Sequence, residues 1–138
     1  VQEIARREIP LLGICVGMQS LFDVGEEMGE HAGLGLLRGT VRRFAQSLPV
    51  KIPHTGWNQI EVVKEPPLFC GIQPASYAYF NPSYYCLAQD SDHVCGLTTH
   101  GLTFACAVQS EGVYGVQFHP EKSQVVGLQI LKNFLELT

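Results

Sequence analysis

Apolar and polar positions divide the chain into short strands framed by three helical stretches. Residues 1–8 read as the end of a helix, closed by Pro10. Leu11-Leu12-Gly13-Ile14 is an apolar run of the kind found in a strand buried on both faces. After Cys15-Val16-Gly17 the spacing turns helical, with Met18, Leu21, Phe22 and Val24 on one side, fading over residues 25–29. A Gly-rich turn with His31, Gly33 and Gly35 follows. From Thr40 to Gln117 the composition is mostly that of strands: Thr40–Phe44, Trp57–Val63, Tyr77–Phe80, Tyr84–Ala88 and Thr103–Gln109, parted by Pro, Gly, Asn and Asp turns. Val113–Phe118 is a further strand that ends at His119-Pro120. Ser123 then caps a last helix whose apolar stripe is Val126, Ile130, Leu131, Phe134 and Leu137. Strand, sharp turn, helix, a β-rich middle and a closing strand–helix pair predict an α/β domain. Few helices are present to cover both faces of a parallel sheet, so the expectation is part of such a domain.

Composition narrows the class. A chain of 138 residues, 46% hydrophobic and 16% charged, suits one soluble domain, residues 1–138, with a single core. No apolar run reaches the length that spans a bilayer, so no membrane segment is expected. The formal net charge is −4 and the basic residues are scattered, which argues against a nucleic-acid partner. Arg38, Arg42 and Arg43 are the densest basic group and read as the solvated face of one strand. The five cysteines are odd in number and lack paired spacing, which points to free thiols in a reducing compartment, the cytoplasm. The chain begins at Val1 inside an apparent helix, so it is expected to lack its own N-terminal part.

Gly13-Ile14-Cys15-Val16-Gly17 has the form G-x-nucleophile-x-G. A sharp strand-to-helix turn forces the nucleophile's backbone into a strained conformation, and glycine two positions either side removes clashing side chains. The turn sets the thiol at a helix N-terminus, which favours thiolate, and aims the Val16 N–H where an oxyanion would form. The competing reading of Cys15 is a small buried hydrophobe, the common fate of a free cysteine.

A base is present at the far end of the chain. Gly115-Val116-Gln117-Phe118 is an apolar strand ending at His119, and strand ends are where sites collect in open α/β sheets. Glu121 lies two residues on, so its carboxylate can hold the imidazole tautomer and stabilise an imidazolium. In isolation, His-Pro-Glu also fits a turn histidine and a solvated glutamate. Cys86, His93, Cys95 and His100 form a Cys-x6-His-x-Cys-x4-His series, but tight pairs such as C-x2-C are missing and no metal is assigned. Cys70, Cys86, Cys95 and Cys106 are read as strand core.

Gly13-Ile14-Cys15-Val16-Gly17-Met18-Gln19 and Gly115-Val116-Gln117-Phe118-His119-Pro120-Glu121-Lys122-Ser123 resemble the two signatures of class I (triad-type) glutamine amidotransferases. Pro53-His54-Thr55-Gly56-Trp57-Asn58 and the Gly33–Val41 stretch narrow the resemblance to the glutaminase subunits of imidazole glycerol phosphate synthase, over nearly the whole chain. The resemblance implies a flavodoxin-like three-layer α/β domain, of which this chain is the C-terminal portion. It also implies glutamine as substrate, no cofactor, and a heterodimer with a cyclase subunit in histidine biosynthesis. Cys15 would attack the side-chain amide, His119 would protonate the departing ammonia, and water would hydrolyse the glutamyl thioester.

By the same resemblance Gln19 and Glu27 would hold the amino-acid end of glutamine, and Ser83 and Tyr84 would line its pocket. His54, Trp57, Asn58 and Lys122 would face the cyclase. Two departures stand out. The family usually has histidine before its Ser-Tyr pair, where this chain has Asn81-Pro82. Family members also carry an upstream Pro-Gly-Val-Gly type loop that supplies the second oxyanion donor. The loss of one such donor costs about 10²–10³ in rate. An inactive module that still binds the cyclase, and a cysteine peptidase-like thiol hydrolase, remain as alternatives.

Overall fold

The computed structural model of the protein describes residues 1–25, 31–64 and 66–137. A short helix α1 (Gln2–Arg6) leads into β1 (Leu11–Ile14) and α2 (Val16–Ser20). Ten strands follow: β2 (Phe22–Gly25), β3 (His31–Ala32), β4 (Leu37–Arg43), β5 (Gly56–Gln59), β6 (Glu61–Val62), β7 (Tyr77–Phe80), β8 (Tyr84–Ala88), β9 (Val94–His100), β10 (Leu102–Ser110) and β11 (Val113–Val116). The closing helix is α3 (Gln124–Glu136).

The main sheet runs β1-β11-β10-β8-β4-β2-β3, with β9 paired to β10 and β6 paired to β9. β1 and β11 are parallel neighbours, in register from Leu11↔Val113 to Ile14↔Val116. β2 and β4 are the other parallel pair among the described residues. β5 and β7 form a separate antiparallel ribbon.

Each face of the sheet carries its own core. On one face Ile130 of α3 packs with Phe80, Cys106, Val116 and Phe118. On the other, Met18 of α2 with Leu21 and Phe22 packs against Leu37, Val41, Cys86 and Val108. β10 serves both, and a register shift between Ala105 and Ala107 interrupts its pairing with β9. Burial of a large apolar side chain such as Phe80 or Ile130 stabilises by about 1.5–3 kcal/mol, so these contacts fix the sheet against α3. Among the described residues no helix is long and apolar enough to cross a membrane.

The structure departs from the sequence pattern in four places. The helix after the sharp turn stops at Ser20, and Phe22–Gly25 is strand β2, in parallel with β4. A short apolar run fits either period, and here the β4 edge decides. Trp57–Val63 divides around the fully buried Ile60, with β5 in the ribbon and β6 in the main sheet. β9 lies outside the strands that the pattern predicts: Val94, Thr98 and Thr99 suit a strand, but Gly96 interrupts the run, and pairing with both β10 and β6 decides it. Cys70, expected in the core, is exposed in the turn after a short 3-10 segment (Pro67–Phe69).

Candidate active site

Cys15 joins β1 to α2 with φ 53° and ψ −106°, a conformation that L-residues rarely adopt. Such strain costs of order 1–3 kcal/mol and persists only where neighbours over-determine it. Here the Cys15 N–H donates to the Val116 carbonyl at 2.9 Å, and the Cys15 carbonyl accepts from the Gln19 N–H at 3.2 Å. One flanking glycine is sterically required. A Cβ on Gly13 would lie 2.6 Å from the Gly17 carbonyl oxygen and 2.8 Å from the Met18 nitrogen. At Gly17 no described atom comes within 4 Å of such a carbon, so the expected need for glycine on both sides holds only upstream.

The sulfur lies at the edge of burial, with Cys15 9% exposed. Burial pushes its thiol above the ordinary value, while the Val16 backbone N–H and the Gln117 amide pull it down and the Glu121 charge pushes it up further. Burial wins. The thiolate expected from the helix N-terminus is therefore not the resting form, since α2 has only five residues to set against that desolvation.

His119 reaches the same sheet edge by a different route. β1 and β11 run parallel side by side, so Cys15 and His119 both lie beyond their C-terminal ends. The chain after β11 is held by Gln117 N–H on the Cys106 carbonyl (2.8 Å) and His119 N–H on the Tyr79 carbonyl (2.9 Å). Nδ1 of His119 lies 2.9 Å from Oε1 of Glu121, across a single 3-10 turn, Pro120–Lys122. A carboxylate only accepts, so Nδ1 carries the proton and the neutral ring presents Nε2 as a base. Among the described residues no hydrogen bond joins His119 to Cys15.

Ser123, expected to cap α3, occupies the cap position without a capping bond. Its hydroxyl instead donates to the His119 carbonyl at 2.6 Å and accepts the Tyr79 N–H at 2.9 Å. Gly127 of α3 closes the arrangement, because a Cβ there would collide with the Pro120 carbonyl oxygen. The histidine turn is thus clamped between β7 and α3.

A polar cluster lies beneath the thiol. Gln117 is fully buried; its Nε2 donates to Cys15 Sγ at 3.7 Å, and its Oε1 accepts from Gln19 Nε2 at 3.4 Å and from Cys86 Sγ at 4.0 Å. Gln19 Nε2 also donates to the Tyr84 carbonyl at 3.4 Å, which brings Gln19, Tyr84 and Cys15 into one corner. Ser83 precedes Tyr84, and its carbonyl accepts the Phe44 N–H at 3.0 Å. Glu27 lies outside the described residues. Sequence reasoning gives Gln117 and Cys86 no part in the site. The signal for Gln117 is a glutamine interrupting an apolar strand end two positions before the histidine.

The residues assigned to a partner surface divide. Trp57 is 48% exposed and meets Tyr79 edge-to-face at 6.1 Å, and the Lys122 ammonium sits 5.7 Å from the centre of that Tyr79 ring. His54 does not face outward. It is 4% exposed, stacked between Phe80 (4.9 Å) and His100 (3.9 Å). Asn58 is turned inward too, donating to His54 Nε2 at 3.1 Å and to the Thr99 carbonyl at 2.7 Å while accepting the Gln59 N–H. Burial, with His100 beside it, lowers the His54 pKa to about 4. His100 bonds the Lys51 carbonyl at 2.7 Å and His93 lies 3.7 Å from Asp90, so the Cys/His series is dispersed. Among the described residues no three metal-ligating side chains are gathered.

Residues 1–137 match the family described as glutamine amidotransferase class-I. The chain is 47% identical over 137 residues to imidazole glycerol phosphate synthase subunit HisH of Moorella thermoacetica, covering 99% of this chain and 64% of that protein. Against the subunit of the same name from Methanocaldococcus jannaschii the identity is 43% over 137 residues, covering 99% of this chain and 68% of the other. Among solved structures, a putative GMP synthase protein from Thermoplasma acidophilum superposes with a TM-score of 0.69 at 22% identity, over 99% of this chain and 60% of that one. The chain thus spans about two thirds of the length of the curated relatives it matches.

Proposed function

The chain belongs to the class-I glutamine amidotransferases, and from that premise we propose that it hydrolyses the side-chain amide of glutamine with Cys15 as nucleophile. The observation that carries this reading is the strained Cys15 at the end of β1 beside a Glu121-bound His119 beyond the end of parallel β11. A thiol held up by burial does not stand ready as thiolate. His119 Nε2 therefore takes the proton as sulfur attacks the amide carbon, and Glu121 stabilises the imidazolium through Nδ1. The oxyanion is received by the Val16 N–H. The imidazolium returns its proton to the leaving nitrogen, ammonia departs, and His119 then activates water to release glutamate from the thioester.

Gln19, Glu27, Ser83 and Tyr84 hold the substrate in this reading; Gln19 bonds both the Tyr84 carbonyl and Gln117, the amide that reaches the thiol, which supports it. The partner is the cyclase of imidazole glycerol phosphate synthase, and the protein acts with it in the cytoplasm, in histidine biosynthesis. The names of the relatives support this choice, and so does the exposed Trp57 with Lys122 over Tyr79. The test is glutamate release from glutamine by the intact protein, with and without cyclase. Release that depends on Cys15 is expected. No release in either condition, or cleavage of peptides instead, contradicts the proposal.

A further inference from the structure

The hydrogen bonds beneath the thiol have a direction that can be read from one end. The Tyr84 backbone carbonyl can only accept, so the Gln19 side chain must turn its NH₂ toward it. The same NH₂ meets Gln117, which must therefore present its oxygen to Gln19. The Cys86 thiol lies 4.0 Å from that same oxygen and, held as thiol by burial, can donate to it. With its oxygen engaged twice, Gln117 has only its NH₂ left for Cys15, 3.7 Å from the sulfur. Inversion of the Gln117 amide would set donor against donor at Gln19. Full burial of Gln117 keeps bulk solvent from relieving that conflict.

We propose that Gln117 is a positioning residue for the nucleophile, its amide oriented from the Tyr84 carbonyl through Gln19 so that it aims an N–H donor at the Cys15 sulfur. A donor in this place favours thiolate over thiol and holds sulfur at the open side of the turn. It partly offsets the desolvation that pushes the Cys15 thiol up. Gln19, if it holds substrate, shares a support with the nucleophile, so substrate contact at Gln19 and sulfur placement are coupled through one buried amide. That coupling rests on the glutaminase reading; the orientation of Gln117 does not.

The test uses no glutamine. Alkylation of Cys15 by iodoacetamide is followed across pH by mass analysis of the Cys15 peptide in the intact protein. In Gln117→Met the donor is lost at similar length, so the profile should move to higher pH. Cys15 should react about 3–10-fold more slowly at pH 8 and converge with the parent at high pH, because alkylation tracks the thiolate fraction. Cys86 and Cys106 report on the core and should stay unreactive. An unmoved profile with those thiols protected overturns the proposal. If they become reactive, Gln19→Met decides in their place. A shift in the same direction supports the proposal, and no shift overturns it.

Discussion

Glu121 Oε1 lies 2.9 Å from His119 Nδ1, and the turn that joins them is clamped at its start, by Ser123 on the His119 carbonyl and by Gly127 under Pro120. The carboxylate is half exposed, so water competes for this bond. Glu121→Gln keeps the shape and removes the charge that stabilises an imidazolium. Glutamine turnover in the intact protein should fall by about 10–10²-fold, less than for a fully buried carboxylate. Unchanged turnover would leave Glu121 without a role.

Ser123 is buried and bonded to two elements at once. Ser123→Ala leaves the Tyr79 N–H without its partner and frees the His119 carbonyl. The expected loss is about 1–3 kcal/mol in urea unfolding, with a larger fractional drop in turnover than the lost stability explains. A variant as stable as the parent contradicts the clamp.

The two glycines flanking Cys15 should separate under substitution. Gly13→Ala forces a carbon against the Gly17 carbonyl and should destabilise by about 1–3 kcal/mol. Gly17→Ala meets nothing described and lies within α2, so its stability should match or slightly exceed the parent's. Equal losses at both positions would contradict the geometry.

His54 supplies a pH prediction. Its folded pKa is lowered from 6.5 to about 4, so between these values the unfolded chain binds more protons than the folded one. Stability from this group is complete above pH 6.5 and is lost as pH falls toward 4, by at most on the order of 3 kcal/mol. Urea unfolding at pH 7 and pH 4 should show a smaller acid loss for His54→Phe, whose ring can occupy the same stack. Equal losses would mean that the buried histidine does not titrate in this window.

The sequence is most legible where backbone geometry demands particular residues. Gly13 before Cys15, the apolar β1, and β11 running to His119-Pro120-Glu121 mark the site, because a strained turn tolerates few alternatives. Phe22–Gly25 reads as helix because four residues carry no decisive period, and β9 escapes because Gly96 interrupts its pattern and partners on both sides complete it. Gln117 is hidden for another reason: a buried amide matters through what it faces, and Gln19, Cys86 and Tyr84 come from other parts of the chain. The resemblance implies an outward His54 close to Trp57 in the chain, but alternation along an irregular loop does not determine which side chain turns in.

The most direct test of the account is the covalent intermediate. The intact protein, with cyclase present, is mixed with glutamine, quenched in acid and digested for mass analysis. The account predicts a glutamyl thioester on the peptide that contains Cys15, absent from Cys15→Ala, which also releases no glutamate. An adduct on another cysteine, or glutamate release that survives Cys15→Ala, would contradict it.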